Sequence, residues 1–288
     1  MATMTGASVR EALKSAIDAL AAMGVDEPRL DAELLLGEAM GCERTKLIAE
    51  SGAEVPAPAA RLFGGMVRRR LRREPVAYIL GRKGFRGIEL AVDSRVLVPR
   101  PETELLVEVA LELQPARVLD VGTGSGAIAL AIADELPDCE VTATDTSPAA
   151  LEVARSNAER LGFADRVRFL AGTLPEEESF DLILANLPYV AERDWAALQP
   201  EVTQWEPSEA LLAGPDGLDA YRAFIPECGR AFASYRWKSS AAVAVEVGEG
   251  QAEAVGTLMR DAGFGEIETR RDLAGIERVV VGRAGVSA

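Results

Sequence analysis

Histidine is absent from all 288 residues. That omission excludes imidazole-based catalytic triads, zinc sites that use His, and any imidazole proton shuttle. Cysteine is scarce: Cys42, Cys139 and Cys228 are odd in number and far apart. They form neither a disulfide framework nor a metal-binding spacing, which points to a reducing compartment and a site without metal. Positive charge is short too, since 31 Lys and Arg stand against 46 Asp and Glu, a formal net charge of −15. Backbone contacts to nucleic acid need clustered Lys and Arg, so direct nucleic-acid binding is not the expected main activity. The one basic cluster, Arg68 to Arg73, reads as a solvated helix face in preference to a docking patch. No apolar run approaches a membrane span, and the N-terminus lacks a signal-peptide core. A cytoplasmic protein without membrane association is expected.

What is present is a core-forming composition, 48% apolar, in a length that suits one large domain or a main domain with a small appendage. Residues 1–73 read as a small bundle of four or five helices. Val9, Leu13, Ile17 and Leu20 share a helical face, and Ser8 can cap it. A second helix runs from Arg29 to Met40, and a third opens at Pro56 and Pro58 and ends in the arginine run. Residues 74–101 change character. Tyr78–Gly81, Gly84–Leu90 and Arg95–Val98 look like short strands, the natural reading being a β-hairpin that links two domains. Residues 102–288 then alternate. Strands are expected at Arg117–Val121, Glu140–Thr144, Val167–Leu170, Phe180–Ala185 and Ala241–Val247, with helices between them. The chain closes on two strands, Gly265–Asp272 and Glu277–Gly282. Such alternation implies an α/β fold: a mainly parallel sheet with helices on both faces and an antiparallel hairpin at one edge.

Val121-Gly122-Thr123-Gly124-Ser125-Gly126 leads from the first of these strands into a helix. Glycines allow a tight turn and close approach of backbone to ligand, and open parallel sheets bind ligands at the carboxyl ends of their strands. The spacing is Gly-x-Gly-x-Gly and not the Gly-x-Gly-x-x-Gly of dinucleotide folds, and Asp120 precedes it. A carboxylate there repels a pyrophosphate but suits a cationic, amino-acid-bearing cofactor such as S-adenosylmethionine. Asp145 ends the next strand, placed to take both ribose hydroxyls.

Four apolar residues, Leu182 to Ala185, read as a strand buried on both faces, and it stops at Asn186-Leu187-Pro188-Tyr189. An amide nitrogen is a poor nucleophile because its lone pair is delocalised. An enzyme that alkylates one needs acceptors to grip the NH2 group and a flat ring beside it. Asn186 Oδ1, the Leu187 carbonyl and the Tyr189 ring supply that set. The plain alternative is an ordinary strand-to-loop turn, since Asn and Pro are common loop formers.

Taken in order, these motifs resemble methyltransferases that modify exocyclic or amide nitrogens. Further blocks narrow the likeness: Glu74 to Gly81, Pro99-Arg100-Pro101-Glu102-Thr103-Glu104, Glu206-Pro207, Gly214-Pro215-Asp216-Gly217-Leu218, Glu246-Val247-Gly248 with Gln251, and Asp272 to Arg278. Nearly the whole chain is similar to the HemK/PrmC family of peptide chain release factor glutamine methyltransferases. The resemblance implies a helical substrate-recognition domain, a hairpin linker and a seven-stranded, Rossmann-like methyltransferase domain. It implies transfer of a methyl group to the amide nitrogen of the glutamine in a release factor Gly-Gly-Gln motif, with S-adenosylhomocysteine as the other product. It assigns cofactor binding to Gly122, Thr123, Gly124, Ser125, Gly126, Asp145 and Asn186, and places Thr173 and Leu174 near the adenine. Substrate binding and catalysis fall to Asn186, Leu187, Pro188 and Tyr189. Two positions depart from the family pattern. Leu187 stands where the family has its first proline, which keeps the carbonyl but loses the fixed φ. Gly172-Thr173-Leu174 lacks the aspartate and larger residue that members often carry, though Thr173 can still hydrogen-bond. A monomer is expected. The tetrapeptide by itself leaves two other substrates open, a glutamine of a ribosomal protein and the N6 nitrogen of a flipped adenine.

Overall fold

The computed structural model describes residues 7–176, 178–234 and 241–284. In chain order come helices α1 (Val9–Ala22), α2 (Pro28–Met40), α3 (Arg44–Ala49), α4 (Ala57–Arg70) and α5 (Val76–Leu80), then strands β1 (Arg82–Phe85) and β2 (Ile88–Ala91). Next are α6 (Glu104–Leu113), β3 (Arg117–Val121), α7 (Ala127–Glu135), β4 (Glu140–Asp145), α8 (Pro148–Leu161), β5 (Val167–Ala171) and β6 (Leu182–Ala185). The chain closes with α9 (Pro200–Trp205), α10 (Asp219–Ala233), β7 (Ala242–Glu246), α11 (Ala252–Asp261), β8 (Phe264–Arg271) and β9 (Glu277–Ala284). Two compact units result, and each is built from two stretches of sequence. The first is the chain up to Gly81 together with Gln199–Trp205, and the second is Arg82–Leu198 with Glu206 onward.

The helical unit is organised by its apolar faces. Ser8 caps α1 in a reciprocal box with Glu11, satisfying two otherwise unpaired N–H groups. Val9 and Leu20 of α1, Leu35 and Leu36 of α2, Leu47, Phe63 and Ile79 make one buried cluster. Tyr78–Gly81, expected as a strand, is instead part of α5 and its cap. Pro75 presets the helical entry, and Tyr78 and Ile79 are buried, so the apolar run is used by packing and not by a ladder. The expected solvated face also needs correction. Arg68 and Arg72 are exposed, but Arg70 and Arg73 are buried. Arg70 donates to Asp31 Oδ2 at 2.6 Å and to Glu201 Oε1 at 2.5 Å. Arg73 donates to Glu201 Oε2 at 2.5 Å and to the carbonyls of Met23 and Gly24. Burial works to raise the Glu201 carboxyl, yet the bonds from Arg73 and Arg70 prevail and hold it below its usual range. These arginines fasten the returning segment that carries α9.

The second unit holds a two-stranded hairpin and a seven-stranded sheet ordered β5-β4-β3-β6-β7-β9-β8. Arg82 pairs with Ala91 and Phe85 with Ile88 around a turn at Arg86 and Gly87. Arg95–Val98, also expected as a strand, joins no ladder. The Val98 N–H donates to the Glu206 carboxylate instead. In the sheet, β3 to β7 run parallel, while β9 lies antiparallel to both β7 and β8. Strand order proceeds outward in opposite directions from β3 and β6, so right-handed crossovers put successive helices on opposite faces. Alternate residues Leu119 and Val121, Ile183 and Ala185, Val243 and Val245 meet Phe224, Ile225, Val255 and Met259 of α10 and α11 in one buried cluster. Order reverses between β3 and β6, and the loops that leave their carboxyl ends border the crevice where such sheets bind ligands.

Candidate active site

The loop after β3 has left-handed backbone at Gly122 (φ 74°), Gly124 (φ 56°) and Gly126 (φ 86°), a conformation that L side chains rarely adopt. A Cβ on Gly126 would lie 2.9 Å from Leu130 Cδ1. The loop is tied to β4 because the Thr144 carbonyl accepts from the N–H groups of both Gly122 and Thr123. Asp120 is fully buried. Its Oδ2 accepts from the Thr123 hydroxyl at 2.6 Å and from the Ala129 N–H at 3.2 Å, joining the loop to the first turn of α7. Burial pushes this carboxyl up to about 7 against those two bonds. The carboxylate expected to face a cationic cofactor is thus a brace of the loop, and it does not border the cavity described next.

Asp145 at the end of β4 accepts from the Gly124 N–H through Oδ2 at 2.9 Å and from the Ser147 N–H through Oδ1 at 2.8 Å. Two carboxylate oxygens carry about four acceptor sites, so each retains capacity for a ligand hydroxyl. Asn157 on α8 supports the arrangement from below. It is buried, donates to the carbonyls of Ser125 and Ala91, and accepts from the Ala91 N–H. One side chain therefore binds the glycine loop to the hairpin.

A cavity of about 410 Å³ opens over these strand ends. Gly122, Thr123, Gly124, Ser125, Asp145, Thr173, Asn186, Leu187 and Pro188 all border it. Leu174 and Tyr189 do not, and pack instead against the core beneath α10 and α11; Gly126 serves as the N-cap of α7. Asn186 donates from Nδ2 to the Thr103 hydroxyl at 3.0 Å, which leaves Oδ1 as the free acceptor of its amide. The motif backbone is held from behind by Gln251, whose Nε2 donates to the Tyr189 carbonyl at 3.0 Å while Oε1 accepts from the Gly248 N–H. Gly217 (φ 78°) comes so close that a Cβ there would lie 2.3 Å from the Tyr189 carbonyl oxygen. Burial pushes the Tyr189 phenol up to about 12, aided by the Glu246 charge, so it stays a neutral ring with a hydroxyl.

Sequence reasoning assigned no role to several residues that the structure places here. Thr103, Arg100, Phe224, Glu209 and Glu227 border the cavity. Arg100 pairs with the buried Glu206 at 2.5 Å, which explains why both occur in motif blocks. The blocks marked them as notable; nothing in local spacing identified their partners. Among the described residues, no cluster of His, Cys, Asp and Glu is set to hold a metal, and no helix is long and apolar enough to cross a membrane.

Comparison with known proteins bears on these features. Residues 11–81 match a family model described as PrmC N-terminal domain, and residues 118–205 one described as methyltransferase domain. A release factor glutamine methyltransferase of Geobacter sulfurreducens is 41% identical over 283 residues, covering 96% of this chain and 97% of its own. Another, from Bordetella pertussis, is 45% identical over 260 residues, 88% of this chain and 93% of its own. Among solved structures, a methyltransferase from Pyrococcus furiosus aligns with a TM-score of 0.54 at 18% identity, over 76% of this chain and 99% of that one. The hMettl16 catalytic domain, in complex with MAT2A 3'UTR hairpin 1, aligns at 0.57 and 14% identity over 77% and 82%. At these identities the solved structures bear on fold alone.

Proposed function

The chain belongs to the release factor glutamine methyltransferase family, and we propose that it methylates the side-chain amide nitrogen, N5, of the glutamine in the Gly-Gly-Gln motif of peptide chain release factors. The observation that carries the reading is the fixed Asn186 amide at the end of β6, beside the glycine loop in one cavity. S-adenosylmethionine fits that cavity by the chemistry of its lining. Asp145 has acceptor capacity for ribose hydroxyls, the glycine loop allows close backbone approach, and acidic Glu209 and Glu227 suit a cation. Residues 122–125, Asp145 and Thr173 are the proposed cofactor-binding set, with Gly126 closing the loop onto α7; Leu174, expected near the adenine, packs against the core and is left out. When bound, S-adenosylmethionine supplies a methyl group on a sulfonium whose sulfur leaves neutral.

The protein's own part is orientation. Asn186 Oδ1 and the Leu187 carbonyl accept from the glutamine NH2 group, which aims the nitrogen lone pair and stabilises the positive charge that develops on it. Pro188 stiffens the turn, and the Tyr189 ring packs against the core behind it. Orientation of this kind can be worth ~7–11 kcal/mol of barrier, and once the methyl has moved, the cationic nitrogen gives its extra proton to water. The proposed partners are release factors as protein substrates of a monomer, with no nucleic acid contacted directly, in the cytoplasm where translation terminates. Mass spectrometry of a recombinant release factor incubated with this protein and S-adenosylmethionine tests the reading. A gain of one methyl on the Gly-Gly-Gln glutamine is expected. A methyl placed on a ribosomal protein glutamine instead would replace the substrate and keep the chemistry.

A further inference from the structure

A primary amide has two ends of nearly equal shape and opposite hydrogen-bonding character. Asn186 can grip a substrate NH2 group only if its oxygen, and not its nitrogen, faces the substrate. Something must choose. The choice is made behind the motif, where Asn186 Nδ2 donates to Thr103 Oγ1 at 3.0 Å. Thr103 sits in the turn before α6 and is 4% exposed. Its hydroxyl has one proton, and the nearby carboxylate of Glu246 at the end of β7 is the anionic group placed to take it. Glu246 is 1% exposed, and its Oε2 has no hydrogen-bond partner. A buried carboxylate with an unsatisfied oxygen is costly to keep.

We propose that Thr103 and Glu246 are positioning residues that set the polarity of the Asn186 amide, a role that rests on the glutamine-methylating reading above. An ionised carboxylate accepts only. With Glu246 ionised, the Thr103 proton points to it, the Thr103 lone pairs point to Asn186, and the amide must present its NH2 group inward. Oδ1 then faces the substrate. Protonation of Glu246 removes this constraint. Its O–H can donate to Thr103, whose own proton becomes free to seek the Asn186 oxygen, and the amide can turn over so that two NH2 groups meet in the site. Hydrogen bonding along such a chain is cooperative, so the direction is set by the group with a fixed character at its end. Around Glu246 stand Glu102 from the turn before α6, Arg100 from the segment preceding it, Arg278 on β9, Tyr189 on the motif loop and Tyr221 on α10. Burial chiefly, with the Glu102 charge, pushes the Glu246 carboxyl up to about 7, and Thr103, Arg278 and Arg100 oppose the rise. The switch therefore lies within an accessible pH range.

The test uses the full-length enzyme with a release factor substrate, and side-chain amide NMR of the enzyme alone. Thr103→Val keeps the shape and removes both hydrogen-bonding functions. It is expected to lower kcat by about 100-fold, as loss of a preorganised polar group does, with unchanged affinity for S-adenosylhomocysteine by calorimetry. Thr103→Ser restores the hydroxyl and should recover most of the turnover. In the wild type, kcat should rise with pH through about 7, and the Asn186 NH2 resonances should titrate over the same range. Glu246→Gln should abolish both pH dependences. Thr103→Val with more than about a third of wild-type kcat, a cost well under 1 kcal/mol, would overturn the proposal. So would equal losses in the Val and Ser variants, or an Asn186 titration that survives Glu246→Gln. If the wild type methylates no glutamine at all, the functional reading fails, while the NMR arm still decides the relay.

Discussion

At the scale of single residues, the proposed site separates groups assigned to ligand from groups that hold them in place. Asn186→Ala removes an acceptor without touching the glycine loop or Asp145. Methyl transfer should fall below about a tenth of wild type, a cost above ~1.4 kcal/mol, while S-adenosylhomocysteine binding by calorimetry stays near wild type. Turnover above that level would remove Asn186 from its assigned role. Asp120 makes a prediction about pH and stability. Its folded-state carboxyl lies near 7 against an ordinary 3.8, so the folded protein binds more protons than the unfolded chain between those values. Stability from this group is full below the ordinary value and is lost as pH rises through about 7, a change of a few kcal/mol. Asp120→Asn should flatten that fall. Chemical denaturation of both proteins at pH 5 and pH 8 measures the double difference, and equal pH slopes would mean that Asp120 is not held in this state.

At the scale of elements, the proposed site lies where two strands end side by side. The loops after β3 and β6 were legible because glycine spacing, Asp145 at a strand end and the Asn186 tetrapeptide are all local signals. Two neighbouring assignments failed for physical reasons. Tyr78–Gly81 is too short for its apolar run to distinguish helix from strand, and burial beside Phe63 and Leu36 decided for helix. Arg95–Val98 has strand composition but finds its partner in Glu206, more than a hundred residues on. The block Gly214 to Leu218 was visible as a motif, and its reason was not. Gly217 lies against the main chain of Tyr189, where backbone cannot yield. Gly217→Ala is therefore expected to push back the catalytic loop and to strain a left-handed backbone as well, costing about 1–3 kcal/mol and most of the methyl transfer. Unaltered melting temperature and kcat in this variant would show that the loop has room to give.

At the scale of the whole molecule, composition supported an acidic α/β enzyme with a helical appendage, and the family likeness covers both parts. Hidden from the sequence was that the appendage is built from two separate stretches of chain. Arg70 and Arg73 looked like part of a solvated run because their acid partner, Glu201, lies about 130 positions away. Removing one member of a buried ion pair leaves an uncompensated charge, typically at ~3–5 kcal/mol. Glu201→Ala should lower the unfolding midpoint of the helical unit accordingly, read by circular dichroism in urea. A loss under about 1 kcal/mol, the range of exposed pairs, would mean that the contact is a surface one. The same feature sets a timetable for biosynthesis. Domains generally fold as units while the chain emerges from the ribosome, N-terminal first, but this N-terminal unit is missing a piece until Trp205 has been made. Until then Arg73 has only the Met23 and Gly24 carbonyls, and Arg70 only Asp31 and the Glu74 carbonyl. The bundle that is first out of the tunnel therefore receives its Gln199 and Glu201 contacts only after the glycine loop and the Asn186 motif have been translated, so its two buried arginines gain their last partners well into synthesis and not at its start.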